Sequence, residues 1–277
     1  MTKGADTTHE SAATHDRIPG LEDRNALVTG GTGGIGLEIA RKLVASGATV
    51  TVNGRNAARG AAALAALGGA SNSVFFSEGN VRDYETAARV VADAASRGGG
   101  RLDVLVSAGA EGPSGPKPFH EMTPRELEDG FAARVLPRIF PVHAAVPALR
   151  AAGGGAVLLI TTDAARHPTP GEAIIGATGA AVILLTKALA REFSRWNTRV
   201  NALALTLTSG TPSWDRIFSA QTFENRLFSK ALTRFPFGRA PTAEEVARVA
   251  AFLVSPQASQ VTGQTVSVNG GLSFGGW

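Results

Sequence analysis

The sequence predicts a doubly wound α/β domain built on a sheet of seven parallel strands. Two observations support this fold class. Short apolar runs alternate with helical patterns along the chain, and the first run leads into a glycine-rich loop that opens a helix. Apolar strands that alternate with helices indicate a parallel sheet that is buried on both faces. The 277 residues, of which 44% are hydrophobic, fit one such domain better than two small ones.

The predicted strands are short and apolar, and helical segments or turns separate them. They lie at residues 26–28, 49–52, 74–76, 104–106, 157–160, 199–205 and 264–268. Two of the helices begin with capping boxes, at 123–126 and 242–245, in which a hydroxyl and a carboxylate satisfy free backbone N–H groups. The segment before the first predicted strand is polar and has few apolar residues. We therefore expect a disordered arm at 1–18 and the domain at 19–277.

The helix predicted after residue 123 contains prolines at positions 137, 141 and 147. Prolines at positions i and i+4 remove two backbone hydrogen bonds, which predicts a kink. Such a kink would reshape a pocket near Arg134, or it would be a tolerated bend. The sequence leaves both interpretations open.

The composition argues against several classes of function. The chain has no cysteine, which excludes disulfides and thiolate metal sites, and no His/Asp/Glu spacing resembles a metal site. The net charge is +4, but the basic residues form no block typical of nucleic-acid binding. No run looks long and apolar enough to span a bilayer, and no signal-peptide pattern is present. We therefore expect a cytoplasmic protein with no nucleic-acid and no membrane partner.

The most informative motif is the glycine loop Thr-Gly-Gly-Thr-Gly-Gly-Ile-Gly at residues 29–36. It follows the first predicted strand and opens a helix. Free N–H groups at a helix N-terminus attract a pyrophosphate, and glycines let it approach the backbone. This placement predicts a Rossmann-type dinucleotide site, whereas a tight turn without a ligand is the alternative. The predicted contacts are Gly30, Thr32, Gly33, Gly34, Ile35 and Gly36.

The end of the second predicted strand favours NADP(H) over NAD(H) as the cofactor. No acidic side chain follows this strand to bind a ribose 2′-hydroxyl. Arg55 stands there instead, and a guanidinium pairs with phosphate in a bidentate manner. The alternative is that Arg55 is an ordinary solvated loop residue.

Four segments together resemble the short-chain dehydrogenase/reductase family over about residues 22–274. They are the glycine loop and residues 102–106, 199–202 and 261–271. The resemblance implies a small-molecule substrate and assembly as a homodimer or homotetramer. It also implies five further cofactor residues, in a region where the family's backbone-bonding Asn is replaced by serine: Asn80, Val81, Ser107, Ala108 and Gly109.

The family's catalytic Tyr-x-x-x-Lys pair is missing from the chain. Alignment by spacing places Ile175 at the tyrosine position and Gly179 at the lysine position. The family's serine position holds Thr162, which keeps a hydroxyl, and its asparagine position holds Arg134. Tyr84, the one tyrosine in the chain, lies in another part of the sequence. Drift in an inactive member of the family would produce the same losses.

Other polar groups near Thr162 are candidates to replace the missing pair. Asp163 and His167 lie in the loop after the fifth predicted strand, and Glu172 lies on the helix that follows. Ligands bind at the carboxyl ends of the strands in this fold, and histidine has a pKa suited to acid–base work. We take Thr162, Asp163, His167 and Arg134 as the candidate catalytic set. Each of them alone is also typical of a solvated loop residue.

Residues 206–238 are expected to form a lid over the substrate. The segment is rich in apolar side chains, namely Trp214, Ile217, Phe218, Phe223, Leu227, Phe228, Phe235 and Phe237. This composition favours a small, hydrophobic organic substrate from specialised metabolism. Alternatively, these residues pack on the core or on a partner subunit, for which the aromatic segment 274–277 is also suited.

Three functions remain open at this point. The first is an atypical NADP(H)-dependent oxidoreductase. The second is a non-redox enzyme, such as a cyclase, dehydratase or isomerase, on the same scaffold. The third is a catalytically inactive pseudoenzyme that acts as a binding or regulatory partner. The family resemblance favours the first.

Overall fold

The computed structural model describes residues 17–69, 73–109 and 115–274. Seven parallel strands form one sheet in the order β3-β2-β1-β4-β5-β6-β7, which confirms the predicted fold class. The strands are β1 (Asn25–Thr29), β2 (Thr49–Gly54), β3 (Val74–Glu78), β4 (Val104–Ser107), β5 (Gly155–Thr162), β6 (Thr198–Leu205) and β7 (Thr265–Val268). The chain reverses its direction of winding between β1 and β4, the position at which ligands bind in such folds.

Helices cover both faces of the sheet. They are α1 (Gly34–Ala45), α2 (Ala57–Ala66), α3 (Tyr84–Arg97), α4 (Pro124–Ala151), α5 (Ala173–Phe193), α6 (Pro212–Phe218), α7 (Phe223–Leu232) and α8 (Ala243–Val254). Successive strand residues point to opposite faces, so Val28 packs in the core beneath α1 and α8, and Leu27 packs in the core beneath α3, α4 and α5. Both predicted capping boxes are present, at the starts of α4 and α8.

Helix α4 runs without interruption through its three internal prolines. Pro141 has no N–H to give to the carbonyl of Pro137 one turn earlier. Strand β4 supplies a donor at this place, because the Ser107 hydroxyl lies 2.9 Å from the Arg138 carbonyl oxygen and 3.5 Å from that of Pro137. The prolines are therefore accommodated within one continuous helix.

Helix α5 corrects the expectation that no run is apolar enough to span a bilayer. The segment Ala173–Trp196 has 24 residues and a mean hydropathy of 1.9, which meets that criterion by length and composition. In the structure the helix packs against β5, β6 and α4 as part of one helical layer. Its apolar composition is therefore accounted for in part by packing within the domain.

The two ends of the chain lie largely outside the described residues. The predicted arm at 1–18 is described only from residue 17 onward, and the predicted interface segment 274–277 only at its first residue. At the start of the described part, the backbone N–H of Ile18 donates to the Ser46 hydroxyl at 3.0 Å. This contact joins Ile18 to the residue that ends α1, and the boundary at 18/19 stays a prediction.

Candidate functional site

A cavity of about 720 Å³ lies at the carboxyl ends of β1 and β2, above the start of α1. It brings together residues from the glycine loop, from the turn after β2 and from the ends of β3 and β4. Eight of the predicted cofactor residues line it: Gly30, Thr32, Gly33, Gly34, Arg55, Asn80, Val81 and Gly109. The position and the lining fit an extended dinucleotide.

Helix α1 directs its N-terminal N–H groups toward this cavity. Gly33 is the N-cap residue, no side chain caps the helix there, and the first turn contains no acidic residue. The positive end of the helix dipole is therefore not neutralised by the helix itself. Apart from its chain neighbours, no atom of the described residues lies within 4 Å of a Cβ built on Gly33, and the backbone is extended with φ of −177°. Neither packing nor backbone strain requires glycine here, and a larger residue would fill the open space above the helix N-terminus.

We expect Gly33→Ala to weaken NADPH binding without unfolding the protein. The added methyl group would occupy the space above the helix N-terminus, and we expect the Kd to rise at least about 10-fold, or about 1.4 kcal/mol. The free energy of unfolding should change by less than about 1 kcal/mol, the usual range for an N-cap change from glycine to alanine. Calorimetric titration and chemical denaturation measure the two quantities.

Gly36→Ala is the contrasting control for this experiment. A Cβ on Gly36 would lie 2.3 Å from the Gly30 carbonyl oxygen, so this variant should lose stability as well as binding. If Gly33→Ala bound NADPH as tightly as the unchanged protein, the glycine loop would not be a pyrophosphate site.

Two arginines and no carboxylate line the cavity within the described part of the chain. Arg55 follows β2, and Arg59 lies four residues later in α2. Asn53, at the end of β2, is buried, and its amide donates to the carbonyls of Ser77 and Gly79 at 3.0 Å each. It therefore joins β2 to β3. Sequence analysis missed Arg59, because an exposed arginine in a helix gives no signal without the neighbouring cavity.

Four of the predicted cofactor residues are not among those that line this cavity: Ile35, Gly36, Ser107 and Ala108. Gly36 allows α1 to pack against the Gly30 carbonyl, and Ile35 and Ala108 pack against the core. Ser107 is fully buried and donates to α4. These residues support the elements around the cavity, and the Ser107 hydroxyl is engaged with the backbone of α4.

A second cavity, of about 860 Å³, lies beyond the end of β5. Helices α4 and α5 form one side of it, and α6 and α7 form the other. All four predicted catalytic residues line this cavity, namely Arg134, Thr162, Asp163 and His167. Among the described residues, no group of His, Asp and Glu side chains could hold a metal ion.

The Asp163 carboxylate is occupied by its neighbours. It is 5% exposed and accepts hydrogen bonds from Arg166, Ser267, Asn269 and Ser273 at 2.5–3.2 Å. These contacts fasten the loop after β5 to β7 and to the segment that follows it. The arrangement favours a structural role for Asp163 over the acid–base role considered from the sequence.

Thr162 and His167 are better placed to meet a ligand. The Thr162 hydroxyl accepts a hydrogen bond from the Ala164 N–H at 3.2 Å and keeps its own proton to donate. Nε2 of His167 is buried without a hydrogen-bond partner in the described part of the protein. A buried polar atom without a partner is destabilising, so this nitrogen is an exception that packing alone does not explain.

Two arginines of α4 bring positive charge to the end of β5. Arg138 donates from Nε to the Ile160 carbonyl at 2.6 Å and from its terminal nitrogen to the Arg134 carbonyl. Burial lowers the pKa of Arg138 to about 10, and the charge of Arg134 acts in the same direction. Burial also lowers the pKa of Arg134, which the charge of Glu172 opposes. Because arginine starts from such a high pKa, both side chains stay charged at neutral pH. Arg134 and Arg138 thus bring two positive charges to this site, although position 179 has glycine where the family has lysine.

Glu172 is a partly buried carboxyl group in the same cavity. Burial raises its pKa to about 7, a hydrogen bond with Thr169 lowers it, the charge of Glu224 raises it and that of Arg134 lowers it. Both protonation states are therefore populated near neutral pH. Sequence analysis noted Glu172 without choosing it, and its position three residues before Ile175 is the signal that would have found it.

The positions aligned with the missing catalytic pair are closely packed. Ile175 lines the cavity. A Cβ on Gly179 would lie 2.7 Å from Cγ2 of Thr162, and one on Gly176 would lie 2.5 Å from the Ala164 carbonyl oxygen. Helix α5 therefore approaches the end of β5 more closely than a side chain at either glycine would allow.

The predicted lid segment has a small hydrophobic core of its own. Its buried members are Leu207, Ile217, Phe235 and Ala240, with Trp214, Phe218, Phe228, Leu232 and Leu272 packed against them. Of the eight apolar side chains predicted to face the substrate, three line the cavity: Ile217, Leu227 and Phe228. The aromatic composition therefore reflects mainly internal packing. The same wall carries Arg216, Lys230 and Arg234, so the cavity is not purely apolar.

Comparison with known proteins gives consistent results over most of the chain. The family described as Enoyl-(Acyl carrier protein) reductase matches residues 30–273. Dehydrogenase/reductase SDR family member 4 of Oryctolagus cuniculus is 34% identical over 91% of this chain and 94% of its own length. The 2,3-dihydroxy-2,3-dihydro-p-cumate dehydrogenase of Pseudomonas putida is 32% identical over 95% and 99%. A short-chain type dehydrogenase/reductase from Mycobacterium ulcerans has a similar structure, with a TM-score of 0.83 and 29% identity, covering 91% and 90%.

Proposed function

The chain belongs to the short-chain dehydrogenase/reductase family, and from this we propose that it is an NADP(H)-dependent oxidoreductase with an atypical active site. Its substrate would be a small organic molecule bound beyond the end of β5. Members of the family bind nicotinamide cofactors.

One observation carries this proposal. The cavity above α1 keeps an uncapped helix N-terminus at one end and has two arginines, but no carboxylate, among its described lining residues. Phosphate groups bind favourably at a helix N-terminus and beside arginine side chains. A chain that had only kept its scaffold would have no physical reason to hold Gly33 open.

The residues around the second cavity fit the substrate side of such a reaction. A bound nicotinamide would supply a hydride. The Thr162 hydroxyl is placed to donate a hydrogen bond to a substrate oxygen, and Arg134 and Arg138 would stabilise negative charge that develops there. The three cationic side chains of the lid wall favour a substrate that combines an apolar body with a polar or anionic group.

The test is a calorimetric titration with NADPH and NADH. We expect micromolar binding of NADPH and a clear preference for it over NADH. In the double variant Arg55→Ala/Arg59→Ala, NADPH binding should weaken about 10- to 100-fold while NADH binding stays unchanged, because the lost ion pairs involve the 2′-phosphate alone. Arg191→Ala, an exposed change in α5, is the matched control. Equal affinity for the two cofactors in the unchanged protein would overturn the choice of NADP(H).

A non-redox enzyme on the same scaffold is the second candidate. The unpartnered Nε2 of His167 favours it, because an imidazole beside a polar cavity suits proton transfer without hydride chemistry. Substrate turnover without any oxidation of NADPH, lost in His167→Ala, would favour this candidate over the first. A regulatory pseudoenzyme stays a hypothesis, which co-purification with an active relative would support.

We further propose that the protein is a cytoplasmic homodimer or homotetramer. Large apolar side chains are exposed on two adjacent helices, with Phe131 of α4 44% exposed and Leu184 of α5 70% exposed. In the apolar window of α5 only 33% of the residues are buried. A second copy packed on these helices would remove this surface from water.

A further inference from the structure

We propose that Glu172 is the proton donor of this active site, in the role that a tyrosine at position 175 would otherwise have. The inference rests on the proposed reductase function and deepens it. Glu172 lies at the N-cap of α5, three residues before Ile175, and lines the same cavity as Thr162. The carboxyl group thus shares a cavity with the hydroxyl that would hold the substrate oxygen.

Charged groups from several surrounding elements line the cavity together with this carboxyl, among them Lys230 and Arg234 of the lid wall. Helix α4 contributes Arg134 and Arg138 on one side. The lid side contributes Glu224 of α7, whose carboxylate forms an ion pair with Arg216 of α6 at 3.0 Å. The loop after β5 contributes His167 to the cavity and Thr169 as a hydrogen-bond partner of Glu172.

The balance of these groups suits a proton donor at neutral pH. An efficient general acid has a pKa near the working pH, and a solvated carboxyl lies well below that range. Burial and the like charge of Glu224 raise the pKa of Glu172, and the hydrogen bond with Thr169 and the attraction of Arg134 limit the rise, to about 7. A tyrosine needs a cation to bring its pKa down to neutral pH, whereas a carboxyl needs burial to bring its pKa up. The loss of the lysine at position 179 is consistent with this change of acid.

The proposed step reduces a carbonyl group by transfer of one hydride and one proton. Hydride transfer to the carbonyl carbon supplies two electrons. The O–H bond of Glu172 breaks, and its proton bonds to the carbonyl oxygen through the electron pair of the former C=O π bond. The O–H bonding pair stays on Glu172, which becomes a carboxylate, and Arg134 offsets its charge until water returns a proton.

The first readout needs no substrate. Protein labelled with ¹³C at the glutamate side-chain carboxyl is titrated by NMR in the presence of NADP+, and the Glu172 signal is assigned by its loss in Glu172→Gln. We expect a midpoint near pH 7. Glu224→Gln should move the midpoint to lower pH and Arg134→Gln to higher pH, each by at least about 0.5 pH unit, because the two neighbours carry opposite charges. Glu128→Gln, an exposed change on α4, should leave it in place.

The second readout is NADPH oxidation with 9,10-phenanthrenequinone, 2,3-butanedione, ethyl acetoacetate and 2-cyclohexenone. We expect kcat/KM to fall as the pH rises above about 7, because Glu172 donates only when it is protonated. The falling limb should move with the NMR midpoint in Glu224→Gln and Arg134→Gln. Glu172→Gln should lower kcat about 100-fold or more, and Glu128→Gln should have no effect.

The outcomes separate this inference from the proposed function. A midpoint below pH 5, or reduction at an unchanged rate by Glu172→Gln, would overturn the inference and leave the reductase function standing. A protein that oxidises NADPH with none of the four compounds would overturn both. A midpoint near pH 7, matched by the kinetic limb and lost together with activity in Glu172→Gln, would support it.

Discussion

Asp163→Ala should lower the free energy of unfolding by about 3–5 kcal/mol, the usual cost of leaving a buried ionic partner without its counter-charge. The side chain of Arg166 is only 13% exposed and pairs with the Asp163 carboxylate at 3.2 Å. Without that carboxylate, Arg166 would keep a largely buried charge, and Ser267 and Asn269 would lose an acceptor. For a chain of this size we expect the Tm to fall by roughly 10 °C.

Chemical denaturation at pH 7 measures this change directly. Asp163→Asn keeps the shape and one acceptor oxygen, so it should cost less than Asp163→Ala. Asp129→Ala is the matched control, because Asp129 is 41% exposed and pairs with Arg82 at the surface, where an ion pair contributes about 0–1 kcal/mol. A cost below about 1 kcal/mol for Asp163→Ala would contradict the structural role and return Asp163 to the list of candidate catalytic groups.

The double variant Ile175→Tyr/Gly179→Lys should be less stable than the unchanged protein by about 1–2 kcal/mol and should not become an ordinary carbonyl reductase. A Cβ at position 179 would lie 2.7 Å from Cγ2 of Thr162, and overpacking a dense site typically costs about 1–3 kcal/mol. The gain in helix propensity when glycine is replaced is smaller, at under about 1 kcal/mol. A displaced α5 would also misplace the new tyrosine.

A compensating change makes this prediction specific. Thr162→Ser removes the methyl group that a lysine Cβ would meet and keeps the hydroxyl. The triple variant Ile175→Tyr/Gly179→Lys/Thr162→Ser should therefore recover about 1 kcal/mol or more of the lost stability. Denaturation curves and NADPH oxidation are compared for the single, double and triple variants. Full stability of the double variant would show that α5 is not held by the contact between Gly179 and Thr162.

The fold was predictable because its signals are local. An apolar run such as 104–106 predicts a buried strand wherever it stands, and a capping box at 123–126 fixes the start of α4 from four residues. The proline segment was not predictable in the same way. The donor that Ser107 provides to α4 lies about thirty residues from the carbonyls that it serves.

The candidate site was predictable only in part, because burial decides its chemistry. Spacing from known motifs found Thr162 and Arg134, which the structure places in one cavity. Glu172 and Glu224 became important only when helices distant in the sequence enclosed them, since an isolated glutamate has an ordinary pKa. The composition of the lid segment did not separate its two interpretations, because three of its eight large apolar side chains line the cavity and five pack in a small hydrophobic cluster, with Ile217 and Phe228 in both groups.

The hydrogen bonds of Asp163 also set an order of events during synthesis. Its partners Ser267, Asn269 and Ser273 lie 104 to 110 residues further along the chain. At about 5–20 residues per second, a ribosome needs roughly 5 to 20 seconds to add that length. During this time the loop that carries His167 lacks the hydrogen bonds that Ser267, Asn269 and Ser273 later provide. Strands β1, β2 and β4 are already synthesised. The substrate cavity should therefore be among the last features of the domain to reach its final structure.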